Sequence, residues 1–459
     1  MESLFRRVVS NNISFAFIGE IAAKLSPLAT YWAVAKFLSP QDFGVYSTFL
    51  IIVAGCALIW EGGFAKAVIK LEDGKGLVAS NAFILNQGLA LALSSWLLIS
   101  PGFFSSFFLG SAEYTFEIQL AAVYVVLSAL SSIPICLLQK EAKFREIAII
   151  RLVVAAVPVL VTLPLVVLFE LKHVALIFGL LTAQLIQLFM LVKMSKWRPK
   201  LVLSKSITFS LFRFAKWVLL SSIAAWIFAW GDSIFVANLL TLEELGLFRM
   251  ASHLVLMGYF FVFSPIIPLL YSRLVKFENH SDGSLVQFLT TVSFGVGLFL
   301  TVLFSVVVPP VINLIDSDAW EKLSSLIIIA SLTQVIPYIF VFMGEFYRAA
   351  GVPRIEAMQR MVSVLALGIF FIFCSATTLE GFMEQRLILT FITGFFELIF
   401  IFFLLKNIPI YSLIGLLVAI IVIAIYVFYD AQIFMFFVPI LVVIITATKN
   451  FRKLNFLLN

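Results

Sequence analysis

The sequence predicts an all-α polytopic membrane protein with about 14 transmembrane helices. Three observations carry this. Of 459 residues, 62% are hydrophobic and only 12% charged, at a mean hydropathy of +1.12, whereas a soluble domain carries about 25% charged residues. Apolar stretches of the roughly 20 residues that a spanning helix needs recur along the whole length. Lys and Arg collect in alternate connections between them. A water-soluble fold is excluded, and fourteen spans with short loops leave no room for a separate soluble domain.

The elements follow in order. The cationic start MESLFRRVVSNN leads into a long apolar stretch with no A-x-A cleavage pattern, so it reads as a retained first span and not a signal peptide. Spans fall near residues 13–37, 43–64, 78–99, 117–137, 146–169 and 174–192. Next comes KMSKWRPKLVLSKSITFSLFRFAK, residues 193–216, with seven cations and no acid. Further spans lie near 217–236, 246–268, 286–312, 322–343, 358–378 and 386–405, and two more near 411–428 and 432–447 close the chain. The expected organisation is a six-helix bundle over 1–192, a basic cytoplasmic linker over 193–216, a second six-helix bundle over 217–405, and two additional helices with a tail over 406–459. Trp197, Trp217 and Phe212 suggest that part of the linker lies in the membrane interface.

Charge sets the orientation. Cytoplasmic loops of membrane proteins are enriched in Lys and Arg. The tails and even-numbered connections hold twenty-four of these residues, against three (Lys172, Lys322, Arg386) in the odd-numbered ones. A span missed in the middle would invert every later loop, so both termini are expected inside. The basic linker falls on that same side, and orientation explains it without nucleic acid.

The halves resemble each other. AKFLSPQDFGVY (Ala35–Tyr46) aligns with ANLLTLEELGLF (Ala237–Phe248), AVIKLE (Ala67–Glu72) with RLVKFE (Arg273–Glu278), and FREIAIIRLV (Phe144–Val153) with PRIEAMQRMV (Pro353–Val362). Six spans separate equivalent points, so the halves have one orientation, as parallel repeats facing a central cavity.

These stretches carry a family resemblance. FLSPQDFGVYS after the first span, GDSIFVANLLTLEELGLF after the seventh and LLQKEAKFREIAIIR before the fifth resemble the polysaccharide-exporting transporters of the multidrug/oligosaccharidyl-lipid/polysaccharide flippase superfamily, the O-antigen and colanic-acid type. The resemblance implies a V-shaped bundle with alternating access that moves undecaprenyl-diphosphate-linked sugars across a bacterial inner membrane. It implies membrane lipids and a polysaccharide polymerase as partners, no enzymatic reaction and no cofactor. It supplies no catalytic residue. Two other readings stay open: a cation-coupled exporter of drugs or small solutes, and a flippase of lipid-linked peptidoglycan precursor.

Ionisable groups inside spans cost roughly 2.5–3.5 kcal/mol each on insertion scales, so they tend to face a cavity or a partner. Glu20 and Lys24 lie one turn apart before Pro27, either on the cavity wall or as a structural ion pair. Arg151 and Arg360 occupy matched repeat positions near the cytoplasmic ends of their spans. They suit bidentate bonding to a diphosphate, or snorkelling to the interface. Asp232 and Arg249 can pair across the outer face as a bridge or gate, and mid-span Glu397 is a candidate for protonatable coupling or a neutral, hydrogen-bonded acid. Glu61 reads as interfacial. Asn81, Asn86, Gln87, Gln184, Gln187 and Gln334 suit either sugar hydroxyls or interhelix bonds. Cys56, Cys136 and Cys374 are far apart, and His173, His253 and His280 are scattered, so no metal or catalytic constellation is expected. No GxxxxGK[ST] motif occurs, so the chain carries no Walker-type ATP site.

Overall fold

The computed structural model describes residues 19, 21–27, 29–61, 64, 67–68, 76–141, 143–274, 283–313, 320–349 and 353–404. Glu20 and the two spans expected at 411–428 and 432–447 lie outside the described residues, as does the side chain of Glu397. Among the described residues every regular element is helical. Each of the first twelve expected spans has its helix: α1 over 21–27 and 29–34, α2 Pro40–Glu61, α3 Leu77–Ile99, α4 Thr115–Lys140, α5 Phe144–Phe169 and α6 Lys172–Ser195. Then follow α7 Lys205–Leu239, α8 Leu242–Leu274, α9 Gly283–Asn313, α10 Leu323–Ala349, α11 Pro353–Phe373 and α12 Leu379–Leu404.

Two local features differ from expectation. Helix α7 begins twelve residues earlier than the apolar pattern places it. Hydropathy ends a span at the last cation, but KSITFSLFRFAK contains neither Gly nor Pro to stop a helix, and the chain turns extended only at Ser204. Between α3 and α4 lies a nine-residue helix, Pro101–Leu109, too short for a search at spanning length. Pro101 starts it, a left-handed Gly110 ends it, and Phe103 and Phe107 are exposed along it.

The chain divides into two compact units, Met1–Arg249 and Met250–Asn459, the division falling inside α8. In the first unit, α2 is the central helix. It packs on α3, α4, α6 and α7 and buries Phe43, Tyr46, Phe49, Ile51, Ile52 and Trp60. Helix α5 stands at the other extreme, leaning chiefly on α6 and exposing Leu160, Val167, Leu168 and Phe169. So large an exposed apolar surface is the surface of a protein solvated by lipid.

The expected linker is fastened down. Over 196–204, between α6 and α7, the backbone is not helical. Its Lys200 amide donates to Ser80 Oγ at 3.1 Å and its Ser204 amide to Asn81 Oδ1 at 2.7 Å. Trp197 packs edge-on against Phe83 at 5.6 Å. Asn81, fully buried, is thus occupied with holding this segment to the first turn of α3. In the second unit, buried Tyr259 of α8 donates within reach of two carbonyls, Gly297 of α9 and Ser331 of α10, both at 3.2 Å. Tyr338 lies against its ring at 4.5 Å. Without a hydrophobic drive between helices in lipid, close packing and such interhelical bonds hold a bundle together, each bond worth about 0.6 kcal/mol on average.

Candidate functional site

The first unit has two chemically distinct ends. At one, the basic end, lie the connections α2–α3, α4–α5 and α6–α7, the last with its run of cations; at the other lie Asp42, Glu113 and Glu117. Each holds a polar constellation.

At the basic end, α2, α4 and α6 line an open cleft of about 320 Å³, at the lower edge of the roughly 300–1,000 Å³ range of small-molecule sites. Helix α2 contributes Trp60 and Glu61, α4 contributes Ser128, Ser131, Ser132 and Gln139, and α6 contributes Gln184 and Gln187. The three residues of one hydroxyl set recur on α4 at helical spacing, so they share the face turned to α6. Gln184 Nε2 donates to Ser131 Oγ at 2.9 Å, and Asn86 Nδ2 of α3 donates to Ser132 Oγ at 3.0 Å. This seam is not fully satisfied. Among the described residues, the Trp60 indole N–H and Asn86 Oδ1 are buried with no hydrogen-bond partner, a condition rare enough in proteins to ask for an explanation.

At the opposite end, the N-termini of α2, α4 and α6 converge. His173, second residue of α6, sits between two carboxylates: Nδ1 is 3.0 Å from Asp42 Oδ1 and Nε2 is 2.8 Å from Glu117 Oε1. A doubly protonated imidazole completes both bonds. Tyr114 packs edge-on over the ring at 5.9 Å. The positive ends of α2 and α4 favour the two acids in their first turns. Residues 131 and 56 positions away in sequence meet at His173 only because three helices start at one level, a meeting that the scattered positions of the histidines do not announce. Among the described residues, no group of His, Cys, Asp and Glu is arranged to hold a metal.

The repeat is visible in atomic detail at the same end. Ser39 and Asp42 form a capping box: Asp42 Oδ2 accepts from the Ser39 amide at 3.0 Å, and the Asp42 amide donates to Ser39 Oγ at 3.3 Å. Thr241 and Glu244, their partners in the aligned segment, repeat it at 3.1 and 3.2 Å. The two capped helix starts cross on the paired glycines of that segment. A Cβ on Gly44 would overlap the Leu242 carbonyl, and one on Gly246 would overlap the Pro40 carbonyl.

The residues singled out from the sequence are spread over the molecule. Arg249, in the second turn of α8, lies 4.3 Å from the centre of the Trp230 ring and donates to Ser233 Oγ at 3.3 Å. Asp232 is half-buried on α7 nearby. Lys24 is exposed on α1, Arg151 half-buried on α5 and Arg360 exposed on α11. None of the cations Lys24, Arg151, Arg249 and Arg360 lines the α2–α4–α6 cavity. Of the polar residues named from sequence, Gln184 and Gln187 reach it; Glu61, read as interfacial, is on its wall. Ser128, Ser131, Ser132, Gln139 and Trp60 were missed. The hydroxyl stripe on α4 was the signal that could have found them.

Comparison with known proteins agrees with this architecture. The lipid II flippase MurJ in an inward closed conformation superimposes with a TM-score of 0.70 over 96% of this chain and 99% of its own, at 15% identity. An inward-facing multidrug resistance transporter of the MATE family gives 0.57 over 86% of this chain and 94% of its own, at 13% identity. At these identities the likeness is one of fold. In sequence, the chain is 21% identical over 246 residues to the succinoglycan biosynthesis transport protein ExoT of Rhizobium meliloti (strain 1021), 54% of this chain and 49% of that protein. The chain therefore matches about half the length of this relative. The model of one family, described as polysaccharide biosynthesis protein, matches residues 33–336. That match takes in both copies of the capping box and the α2–α4–α6 cavity, and the chain belongs to this polysaccharide biosynthesis family.

Proposed function

We propose that the chain is a flippase that carries a polyprenyl-diphosphate-linked oligosaccharide across the cytoplasmic membrane by alternating access, with the basic end cytoplasmic. Membership of a polysaccharide biosynthesis family carries this reading. Physical need supports it: each sugar hydroxyl taken into hydrocarbon without a partner costs several kcal/mol, so a glycan crosses only through a polar interior. The α2–α4–α6 cavity offers such an interior at the end where a cytoplasmically made substrate arrives. Arg151 and Arg360, matched in the repeats, meet the diphosphate while the lipid tail stays in the bilayer. The two repeats rock about the segment joining them. The released glycan is then available to a polymerase on the far side.

The fold likeness to a lipid II flippase favours one second reading, peptidoglycan precursor as cargo. Proteoliposomes separate the two. A fluorescent polyprenyl-diphosphate oligosaccharide should reach the opposite leaflet at a rate above protein-free vesicles, and lipid II should not. Replacing Arg151 and Arg360 together by Gln should lower that rate about tenfold or more, as loss of charge-assisted bonds demands. Transport of lipid II alone would overturn the glycan reading.

A further inference from the structure

Resting on the flippase reading, we propose that the α2–α4–α6 cavity is a sugar subsite, recognising one neutral pyranose of the cargo through Trp60, Ser131, Ser132, Gln184 and Gln187.

The donor set decides the ligand class. Hydroxyls and primary amides both donate and accept, which matches sugar hydroxyls that do the same. Among the described residues no Lys or Arg lines the cavity, so it does not suit a diphosphate. A lining without Lys or Arg likewise offers no counter-charge to a sugar that carries a carboxylate.

The unsatisfied atoms point the same way. Trp60 is 3% exposed, and its N–H has no acceptor among the described residues. Asn86, which does not line the cleft, orients Ser132 from behind by donating its amide N–H to Ser132 Oγ. Gln184, 7% exposed, is already oriented by Ser131. Such preorganisation lowers the cost of ordering on binding.

The test uses the full-length protein in lipid nanodiscs and three probes: farnesyl diphosphate, farnesyl diphosphate linked to galactose, and farnesyl diphosphate linked to galacturonic acid. The galactose probe should bind about tenfold more tightly than bare farnesyl diphosphate, the gain of one or two net hydrogen bonds. The galacturonate probe should show no such gain. Trp60→Phe, which keeps the ring and loses the N–H, and Gln187→Ala, at a half-buried position, should each shrink the galactose increment while leaving affinity for bare farnesyl diphosphate unchanged. Equal binding of galactose and bare probes, with both still transported, would remove the subsite and leave the flippase intact. A galactose increment untouched by both variants would likewise overturn it. If no probe binds and none is transported, the flippase reading falls and the subsite falls with it.

Discussion

His173 shows how much one side chain can hold in this chain. It joins the starts of α2, α4 and α6 through Asp42 and Glu117, and its side chain is 17% exposed, with Asp42 at 13% and Glu117 at 9%. Removing it leaves two carboxylates close together in a poorly solvated place, where the cost of an unpaired group is about 1–3 kcal/mol. His173→Phe is therefore expected to lower the melting temperature of the purified protein by several degrees. Adding Glu117→Gln to it should recover part of that loss, because the second substitution removes the stranded charge. A double-mutant cycle measures the coupling directly, and additive losses would show that the ring and Glu117 act independently. Arg249 illustrates the converse. Its guanidinium lies over the Trp230 face and donates to the Ser233 hydroxyl, contacts that no spacing in the sequence announces.

At the level of helices, the Gly44–Gly246 crossing is the tightest backbone approach in the first unit's repeat. An added methyl must push the opposing strand of carbonyls away, and overpacking of this kind costs about 1–3 kcal/mol. Gly44→Ala is thus expected to reduce thermal stability, whereas Gly88→Ala on α3, where a Cβ meets nothing within 4 Å, is expected to be neutral or mildly stabilising. Equal melting temperatures for the two would mean that α2 and α8 slide apart at no cost. This crossing was partly legible in the sequence. The alignment of Ala35–Tyr46 with Ala237–Phe248 marked both glycines and both capping boxes, since caps and close approaches leave local signatures. The start of α7 was not legible, because hydropathy reports what faces lipid and a helix needs only the absence of breakers. Nor was the α2–α4–α6 cavity, whose wall comes from three helices spread over more than a hundred residues of sequence. Ser131 and Gln184 become neighbours only through tertiary packing.

For the molecule as a whole, length and charge were the strongest signals, because the bilayer imposes them. A span must be about 30 Å long and must keep its backbone bonds within itself, so each apolar run of that length becomes a helix. Among the described residues a helix stands at each of the first twelve runs, and the last two expected spans fall outside those residues. Orientation is a separate inference, and it rests on the cations alone. Glu113 lies between α3 and α4, beside the cluster of Asp42, Glu117 and His173; Arg198 lies between α6 and α7 in the basic segment pinned to α3. Three spans separate the two points, so they lie on opposite sides of the membrane whatever the absolute orientation. By cation retention, the Arg198 side is the one expected in the cytoplasm. Alkaline phosphatase, active only outside the cytoplasm, is accordingly expected to be active when fused after Glu113 and inactive when fused after Arg198, with both fusions present at similar levels on immunoblots. Activity at Arg198 and none at Glu113 would invert the molecule. The cavity at the basic end would then open away from the side where glycan precursors are built, and neither the flippase direction nor the sugar subsite would survive in the form proposed.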